Sequence, residues 1–429
     1  MVSKELLKQI IIENKEFILH KIERIIPRQV YFPKVKKVVV MYGVRRSGKT
    51  YLLYDIFLKN RERSLYVDFE DERLIDFEVG DFENLKEVFF ELNPSVEKPI
   101  FLFDEIQNIK GWEKFVRRIC EKEQIDTFVT GSSSKMMPEE IHTALRGRAW
   151  SLEVTPFSFR EFLKIKNINT EDKEIFYSRK RILIKRYFQE YLLWGGFPEV
   201  ILADSEEEKR KIVKEYFKAM FFKDLVERFS LTNTGLLSIL MENLFSSFSI
   251  KVSLTSFYKQ FKKKLSFSKD KLFFYYKCLL DSMLLFEVRK FSPSFYKRLR
   301  NPAKIYVIDT SLCRRVTLQD YGRLLENIVF LELRKMADEI FYFEEEKECD
   351  FVVKDFKGKF KIYQVVWELH EKNREREIEG LVNALDYFSL QEGVILTKDQ
   401  EEEIEIKKKK IKIIPVWKWI CSKEDKDYT

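Results

Sequence analysis

Apolar residues recur at two periods, and the places where one gives way to the other divide the chain. Leu6, Leu7, Ile10, Ile11, Phe17, Ile18, Ile22 and Ile25 stand at helical spacing and are closed by Pro27, which predicts an amphipathic helix over residues 3–25. The run Val38, Val39, Val40 and Met41 reads as a buried strand, and residues 51–58 read as a helix. Short apolar runs at 64–69, 100–103, 127–130 and 150–154 predict further strands, with helical stretches at 82–91 and 112–121 between them. Strand alternating with helix predicts a parallel sheet covered on both faces, an α/β fold.

The period then becomes helical from Phe159 to Arg228, with long helices at 181–193 and 208–226 on either side of a break at Gly195, Gly196 and Pro198. This predicts a helical lid beside the first sheet. Residues 230–292 give helical stretches at 234–248, 254–264 and 268–285, then a strand at 286–291, and three short helices with a β-ribbon spell a winged helix. A second α/β unit follows, with strands near 304–308, 350–353, 361–366, 394–397 and 412–416 and a helix around 326–336. Ile378, Leu381, Val382, Leu385 and Phe388 form one face of another helix. The expected domains are 1–158, a P-loop domain with its leading helix; 159–229, the lid; 230–300, the winged helix; 301–421, the second α/β unit; and 422–429, a polar tail.

The first strand breaks directly into Gly43-Val44-Arg45-Arg46-Ser47-Gly48-Lys49-Thr50. Here Gly43 and Gly48 let the backbone turn its N–H groups onto a polyphosphate, Lys49 reaches the terminal phosphates, and Thr50 offers a hydroxyl to Mg²⁺ at a helix N-terminus. Residues 43–51, Tyr51 included, are the expected nucleotide contacts. The strand at 100–103 ends in Asp104 and Glu105, which a parallel sheet sets at its carboxyl edge beside the phosphate loop. Asp104 is expected to hold Mg²⁺ through its waters, and Glu105 to orient and polarise the water that attacks the γ-phosphate. At the end of the next strand, Thr130 or Ser132 is expected within reach of the γ-phosphate or that water. Arg146 or Arg148, on a tight glycine turn, is expected to act in trans on the charge of the transferring phosphoryl.

Composition narrows the class. At 429 residues and 45% apolar the chain affords several domains with substantial cores. No uninterrupted apolar run is long enough for a membrane span and no signal peptide is read, and scattered Cys and His residues outline no zinc site or disulfide framework; a cytoplasmic protein is expected. The net charge of +8 is concentrated: residues 251–304 carry fourteen Lys or Arg against three acids, so a basic, partner-seeking face lies mid-chain. Its partner is nucleic acid or protein; Lys269, Lys271, Lys277 and Lys262 to Lys264 face outward in the first case.

The strings Gly43 to Thr50, Asp104-Glu-Ile-Gln107 with Trp112, Thr130-Gly-Ser-Ser133, Leu145-Arg-Gly-Arg148 and Thr155-Pro-Phe-Ser-Phe-Arg-Glu-Phe162 resemble a widespread prokaryotic, especially archaeal, family of AAA-type P-loop ATPases. The likeness continues through Trp194-Gly-Gly-Phe-Pro-Glu199, Lys223-Asp224 with Arg228, Lys304 to Asp309, Leu325-Glu-Asn327 and Arg374-Glu-Arg-Glu377. It implies ATP as the nucleotide, in agreement with the missing Asn-Lys-x-Asp guanine box. It also implies a C-terminal restriction-endonuclease-like domain of unassigned function. Asp350 with Gln364-Val365-Val366 is similar to that fold's Asp…Glu-x-Lys arrangement, yet Gln364 and Val366 supply neither the second acid nor the lysine, so an inactive domain is expected, with Glu326 and Asp350 left as weak metal ligands. Two functions are consistent with this sequence: a cytoplasmic Mg²⁺-dependent ATPase, acting as a homo-oligomer, that moves its attached domains, or an ATP-gated switch that turns over rarely and presents a surface to DNA or protein.

Overall fold

The computed structural model describes residues 2–21, 25–33, 35–131, 136, 138–170, 173–315 and 320–422. The chain divides after Thr155 into two compact units.

In the first unit, β1 (Val38–Tyr42), β2 (Ser64–Asp68), β3 (Ile100–Asp104), β4 (Asp126–Gly131) and β5 (Ala149–Glu153) form one sheet in the order β2-β3-β4-β1-β5. Every pair in it is parallel. Parallel neighbours need crossovers, and α2 (Lys49–Lys59), α3 (Asp81–Leu92), α4 (Trp112–Lys122) and α5 (Pro138–Ala144) supply them. Because successive strand residues face opposite sides, Val38 and Val40 pack with Leu85, Val88, Phe115 and Val116 on one face, while Val39 and Met41 pack with Leu52, Leu53, Ile56 and Phe57 on the other. The leading helix α1 (Lys4–Lys21) packs against β2 and α3, covering the edge strand that would otherwise offer its backbone to another chain. The strand order sets β4 between β1 and β3, so the carboxyl ends of these three strands share one edge.

The second unit begins with α6 (Phe159–Ile165), α7 (Lys180–Trp194), α8 (Pro198–Leu202) and α9 (Glu206–Ala219), the last continued by a π-helical stretch, Met220–Glu227. Next come α10 (Thr234–Ser246), β6 (Lys251–Val252), α11 (Leu254–Phe261), α12 (Lys269–Asp281), β7 (Leu285–Lys290), α13 (Phe295–Arg300) and β8 (Ala303–Val307). The chain finishes with α14 (Tyr321–Arg334), β9 (Ala337–Glu344), β10 (Glu348–Asp355), β11 (Phe360–Val365), α15 (Arg374–Tyr387), β12 (Glu392–Thr397), β13 (Glu402–Ile406), β14 (Lys409–Pro415) and α16 (Val416–Ser422). One mixed sheet of nine strands runs through this unit in the order β13-β14-β12-β11-β10-β9-β7-β8-β6.

Two sequence expectations are corrected here. The strand at 304–308 was expected to open the C-terminal α/β unit, but β8 pairs antiparallel with β7 and β6 and closes the preceding three-helix segment. Nor is there a break in the sheet near residue 300, because Arg289 and Lys290 of β7 pair with Phe341 and Tyr342 of β9. The helices expected as a lid beside the ATPase sheet form part of the second unit: α6 and α7 pack on α16, and α7 also packs on α14. The physical reason lies at the Gly195–Gly196 break. The buried Asp309 carboxylate enters it and accepts the Gly196 N–H at 2.7 Å; a Cβ at Gly195, whose φ is +66°, would lie 1.9 Å from Asp309 Oδ1. Burial pushes that carboxyl up to about 6, against the hydrogen bonds from Ser311 and Gly196.

Strands β6, β9 and β13 were not anticipated. β13 reads Glu-Glu-Ile-Glu-Ile and draws its support from across the ladder, where Glu403 and Glu405 stand opposite Lys412 and Lys410 of β14. Ser132, and the tail beyond Ser422, lie outside the described residues. Among the described residues no helix is long and apolar enough to cross a membrane.

Candidate functional site

The loop after β1 is shaped by close approach. At Gly43, φ +151°, a Cβ would stand 2.3 Å from the Val154 carbonyl oxygen, and Gly48, φ +97°, caps α2 in the left-handed region. Arg46 also takes a positive φ of 68°, so the loop turns sharply between the two glycines. Lys49 is buried, and its ammonium donates to the carbonyls of Gly43 and Val44 at 3.1 Å each. The Ser47 hydroxyl is fully buried and has no hydrogen-bond partner among the described residues, an orphan of the kind a ligand oxygen satisfies. Val44 is buried, Arg46 is exposed, and Tyr51 on the first turn of α2 is exposed and meets Tyr54 edge-on with ring centres 5.5 Å apart.

A residue that motif reading passed over grips this loop from behind. Arg28 donates Nη1 to the Ser47 carbonyl at 2.9 Å and Nη2 to the Thr155 carbonyl at 2.7 Å. In a planar trans peptide the carbonyl and the following N–H point to opposite sides, so holding the Ser47 carbonyl turns the Gly48 N–H away from Arg28.

Asp104 ends β3 almost without exposure. The Thr130 hydroxyl donates to its Oδ1, and the Tyr66 hydroxyl donates to its Oδ2 at 3.1 Å. Burial pushes the Asp104 carboxyl up, opposed by the hydroxyls of Thr130, Thr50 and Tyr66, so Thr50 and Asp104 meet at this edge. The next residue, Glu105, takes the left-handed conformation at φ 47°; its N–H donates to Thr130 Oγ1 at 3.1 Å and its carboxylate accepts Gln107 Nε2 at 2.5 Å. Thr130 thus holds both acids at once. Asp68 of β2 lies in register with Asp104, and burial, with the charge of Asp104 added, pushes its carboxyl up to about 6. Glu70 is also pushed up, by burial first and then by Glu105, while Arg45 and Lys49 pull it down. Four acids and two cations therefore share the carboxyl edge.

Arg146 and Arg148 lie at the other end of the sheet. Val38, the first residue of β1, donates its N–H to the Arg148 carbonyl at 3.0 Å. The five residues of β1, roughly 16 Å of extended chain, separate these arginines from the phosphate loop of the same chain. Arg148 is ion-paired with Glu121 and donates to the Arg146 carbonyl at 2.9 Å, while Arg146 adopts φ 49°. Tyr66, Asp68, Glu70 and Arg28 were missed in the sequence because none belongs to a contiguous motif, and Gln107 was read only as part of the Asp104 to Gln107 string without a role; Asp68 carried a signal as an acid ending a predicted strand.

A parallel five-stranded sheet with a Gly-x-x-x-x-Gly-Lys-Thr loop and an acidic neighbouring strand end defines a P-loop domain of the AAA class, and residues 35–163 match the family model of an AAA domain. Residues 185–322 match a domain of unknown function, DUF8612. The chain belongs to the family of the uncharacterized protein MJ1544 of Methanocaldococcus jannaschii, with which it is 35% identical over 437 aligned residues, covering 98% of this chain and 96% of that one. An uncharacterized Haemophilus influenzae protein is 28% identical, covering 93% of this chain and 98% of its own length. Among solved structures, the Walker-type ATPase PABY2304 of Pyrococcus abyssi is similar over 74% of this chain and 96% of its own, with a TM-score of 0.43 and 14% identity. The Thermotoga maritima RuvB Holliday junction branch migration motor is similar over 70% and 95%, with a TM-score of 0.28 and 16% identity.

Arg28→Ala frees the Ser47 carbonyl. Affinity for a non-hydrolysable ATP analogue, read by calorimetric titration, should then fall about tenfold, the effect of losing one charge-assisted hydrogen bond. Arg28→Lys should fall between the two, and unchanged affinity in both variants rules the grip out.

Proposed function

We propose that this protein is a Mg²⁺-dependent ATPase whose nucleotide state governs what its second unit presents to a partner. One observation carries the reading: the Thr130 hydroxyl donates to the Asp104 carboxyl and accepts the Glu105 N–H at the sheet edge where the loop of residues 43–50 opens. In this reading residues 43–51 bind the nucleotide, and Lys49 exchanges the Gly43 and Val44 carbonyls for terminal phosphate oxygens. The donor set fits a hard cation, and Mg²⁺ held by Thr50 and Asp104 would supply neutralisation of charge on the phosphoryl group. Glu105 orients the attacking water, Gln107 fixes the carboxylate, and Thr130 is a positioning residue for both acids. Ser132 keeps its sequence-based role as an alternative near the γ-phosphate.

The separation of Arg146 and Arg148 from their own loop favours action on a neighbouring copy, so that an assembled homo-oligomer completes the site. It also supports the second reading, because an isolated subunit without that cation is a slow, ATP-gated switch.

For the partner, the order α10–β6–α11–α12–β7–α13–β8, with its three strands arranged β6-β8-β7, supports the winged helix expected over residues 230–300, which carries most of the basic segment 251–304. α12 buries Leu272, Tyr275, Tyr276, Cys278 and Leu279 and leaves Lys269, Phe273, Phe274 and Lys277 exposed, near the exposed run Lys262 to Lys264. Lys271 is half-buried, with its ammonium 3.3 Å from Thr232 Oγ1. Exposed Phe295, Tyr296 and Leu299 stand on α13 among Lys297, Arg298 and Arg300. Cations interleaved with aromatic rings suit a nucleic acid, whose phosphates and bases they match in turn.

Lys49→Ala should abolish ATP binding, whereas Glu105→Gln should bind ATP and lose hydrolysis by at least a hundredfold, measured as phosphate release beside a binding titration. Parent-rate hydrolysis by Glu105→Gln removes Glu105 from the role. Specific activity should rise with protein concentration, and mixing Lys49→Ala with the deficient Arg146→Ala or Arg148→Ala chain should restore some of it; a flat rate with no rescue leaves a monomeric switch. DNA affinity should fall steeply with salt, and alanines at Lys262 to Lys264, Lys269 and Lys277 should flatten the slope by about 0.9 per phosphate contact removed. Affinity indifferent to both would leave protein as the partner.

A further inference from the structure

Within the second unit, β6, β8, β10, β11, α14 and α15 line an open pocket of about 420 Å³. Lys304 of β8 enters it with its side chain 4% exposed. Its ammonium lies 2.8 Å from Asp350 Oδ1, 2.8 Å from Glu348 Oε1 and 3.2 Å from Glu326 Oε1. Asp350 and Glu326 each accept one of the ammonium's protons, and Glu348 completes the ring of negative charge as an ion pair. The surrounding bonds leave little slack. The Tyr306 hydroxyl donates to Glu326 Oε1 at 2.6 Å, the Val365 N–H donates to Asp350 Oδ2 at 2.9 Å, and Lys251 donates to Glu348 Oε2 at 2.9 Å. Burial works against the charge on Lys304, but Asp350, Glu326 and Glu348 hold its pKa well above the usual lysine value.

A nuclease-like site would gather acids here around a divalent metal, and the residues present do not fit one. Gln364 accepts the Asp350 N–H at 3.1 Å and donates to Glu377 at 2.6 Å, so both ends of its amide are engaged. Val366 offers no donor atom. A hard cation holds carboxylate oxygens at about 2.0–2.6 Å, which requires the volume that the Lys304 ammonium occupies. Expelling that ammonium would strand a buried charge on a strand paired on both sides, with β6 and with β7.

We propose that Lys304 is the resident cation of this carboxylate site: its ammonium stands in place of a divalent metal, so the cavity works without metal and cuts no nucleic acid, and removing the ammonium opens a metal site. The cluster also has a mechanical consequence, since lysines of β6 and β8 reach acids of β10 and α14 and bolt the three-helix segment to the C-terminal strands. Neither statement depends on the ATPase reading.

The test titrates Mn²⁺ into full-length, nucleotide-free protein and reads free Mn²⁺ by its electron paramagnetic resonance signal, for the parent, Lys304→Met and Lys304→Gln. Lys304→Met keeps the stem and removes the charge. The parent should bind no Mn²⁺ that Asp350→Asn abolishes. Lys304→Met should take up one Mn²⁺ per chain at least tenfold more tightly than the parent, and a thermal midpoint lowered in the variant should recover with Mn²⁺. Adding Asp350→Asn should erase both gains. The proposal is overturned if the parent binds one Mn²⁺ that Asp350→Asn removes, or if folded Lys304→Met and Lys304→Gln bind no more than the parent. Should neither variant fold even with Mn²⁺, the parent titration decides. Cleavage of duplex or single-stranded DNA by the parent in Mn²⁺, lost in Asp350→Ala, would overturn it as well.

Discussion

The hydroxyl of Thr130 joins two strands and two acids. It donates to the Asp104 carboxylate and accepts the Glu105 N–H, and it can do so only because β4 is inserted between β1 and β3 with every strand parallel. The parallel order brings the loop of residues 43–50, Asp104 and Glu105 to one edge. It also buries Asp104, which raises the cost of its charge and leaves it in need of a cation. The same geometry carries Arg146 and Arg148 to the far edge.

Buried charge organises the second unit too, by a different device. Asp309 enters the break at Gly195 and Gly196 and accepts the Gly196 N–H there and the Ser311 N–H on its other oxygen, which ties the helices following the first unit to the long mixed sheet. Lys304 does the comparable work further along. In each case a polar group is out of water, and the hydrogen bonds that compensate it come from elements far apart in sequence. Such groups tolerate few rearrangements, because removing one partner leaves the other uncompensated. The buried polar groups of the second unit are thus held by partners distant in sequence, while Lys269, Phe273, Phe274 and Lys277 of α12 stand exposed.

The two ends of the protein also differ in how they treat cations. At the loop of residues 43–50, Lys49 rests on two backbone carbonyls, neutral acceptors that a phosphate readily outbids. In the second-unit cavity, Lys304 rests on three carboxylates, and no small anion improves on that. One lysine is held by neutral groups and the other by charged ones.

Much of the first unit was legible before any coordinates. Strand and helix periods located the elements, the Gly43 and Gly48 spacing marked the loop, and an apolar strand ending in Asp104 and Glu105 marked the acids, because these features are local and leave a periodic or contiguous trace. The grip of Arg28 on Ser47, the Tyr66 hydroxyl on Asp104, and Thr130 as a bridge between acids left none; each joins residues whose separation in sequence carries no period. β8 was legible as a strand, yet its neighbours were not, since an apolar run does not state which ladder it joins. Lys304 looked like any lysine at the start of a strand. Only the packing of β10 and α14 around it made it the cation of three carboxylates, and burial, which sequence patterning reports as a face and not as a partner, decided the rest.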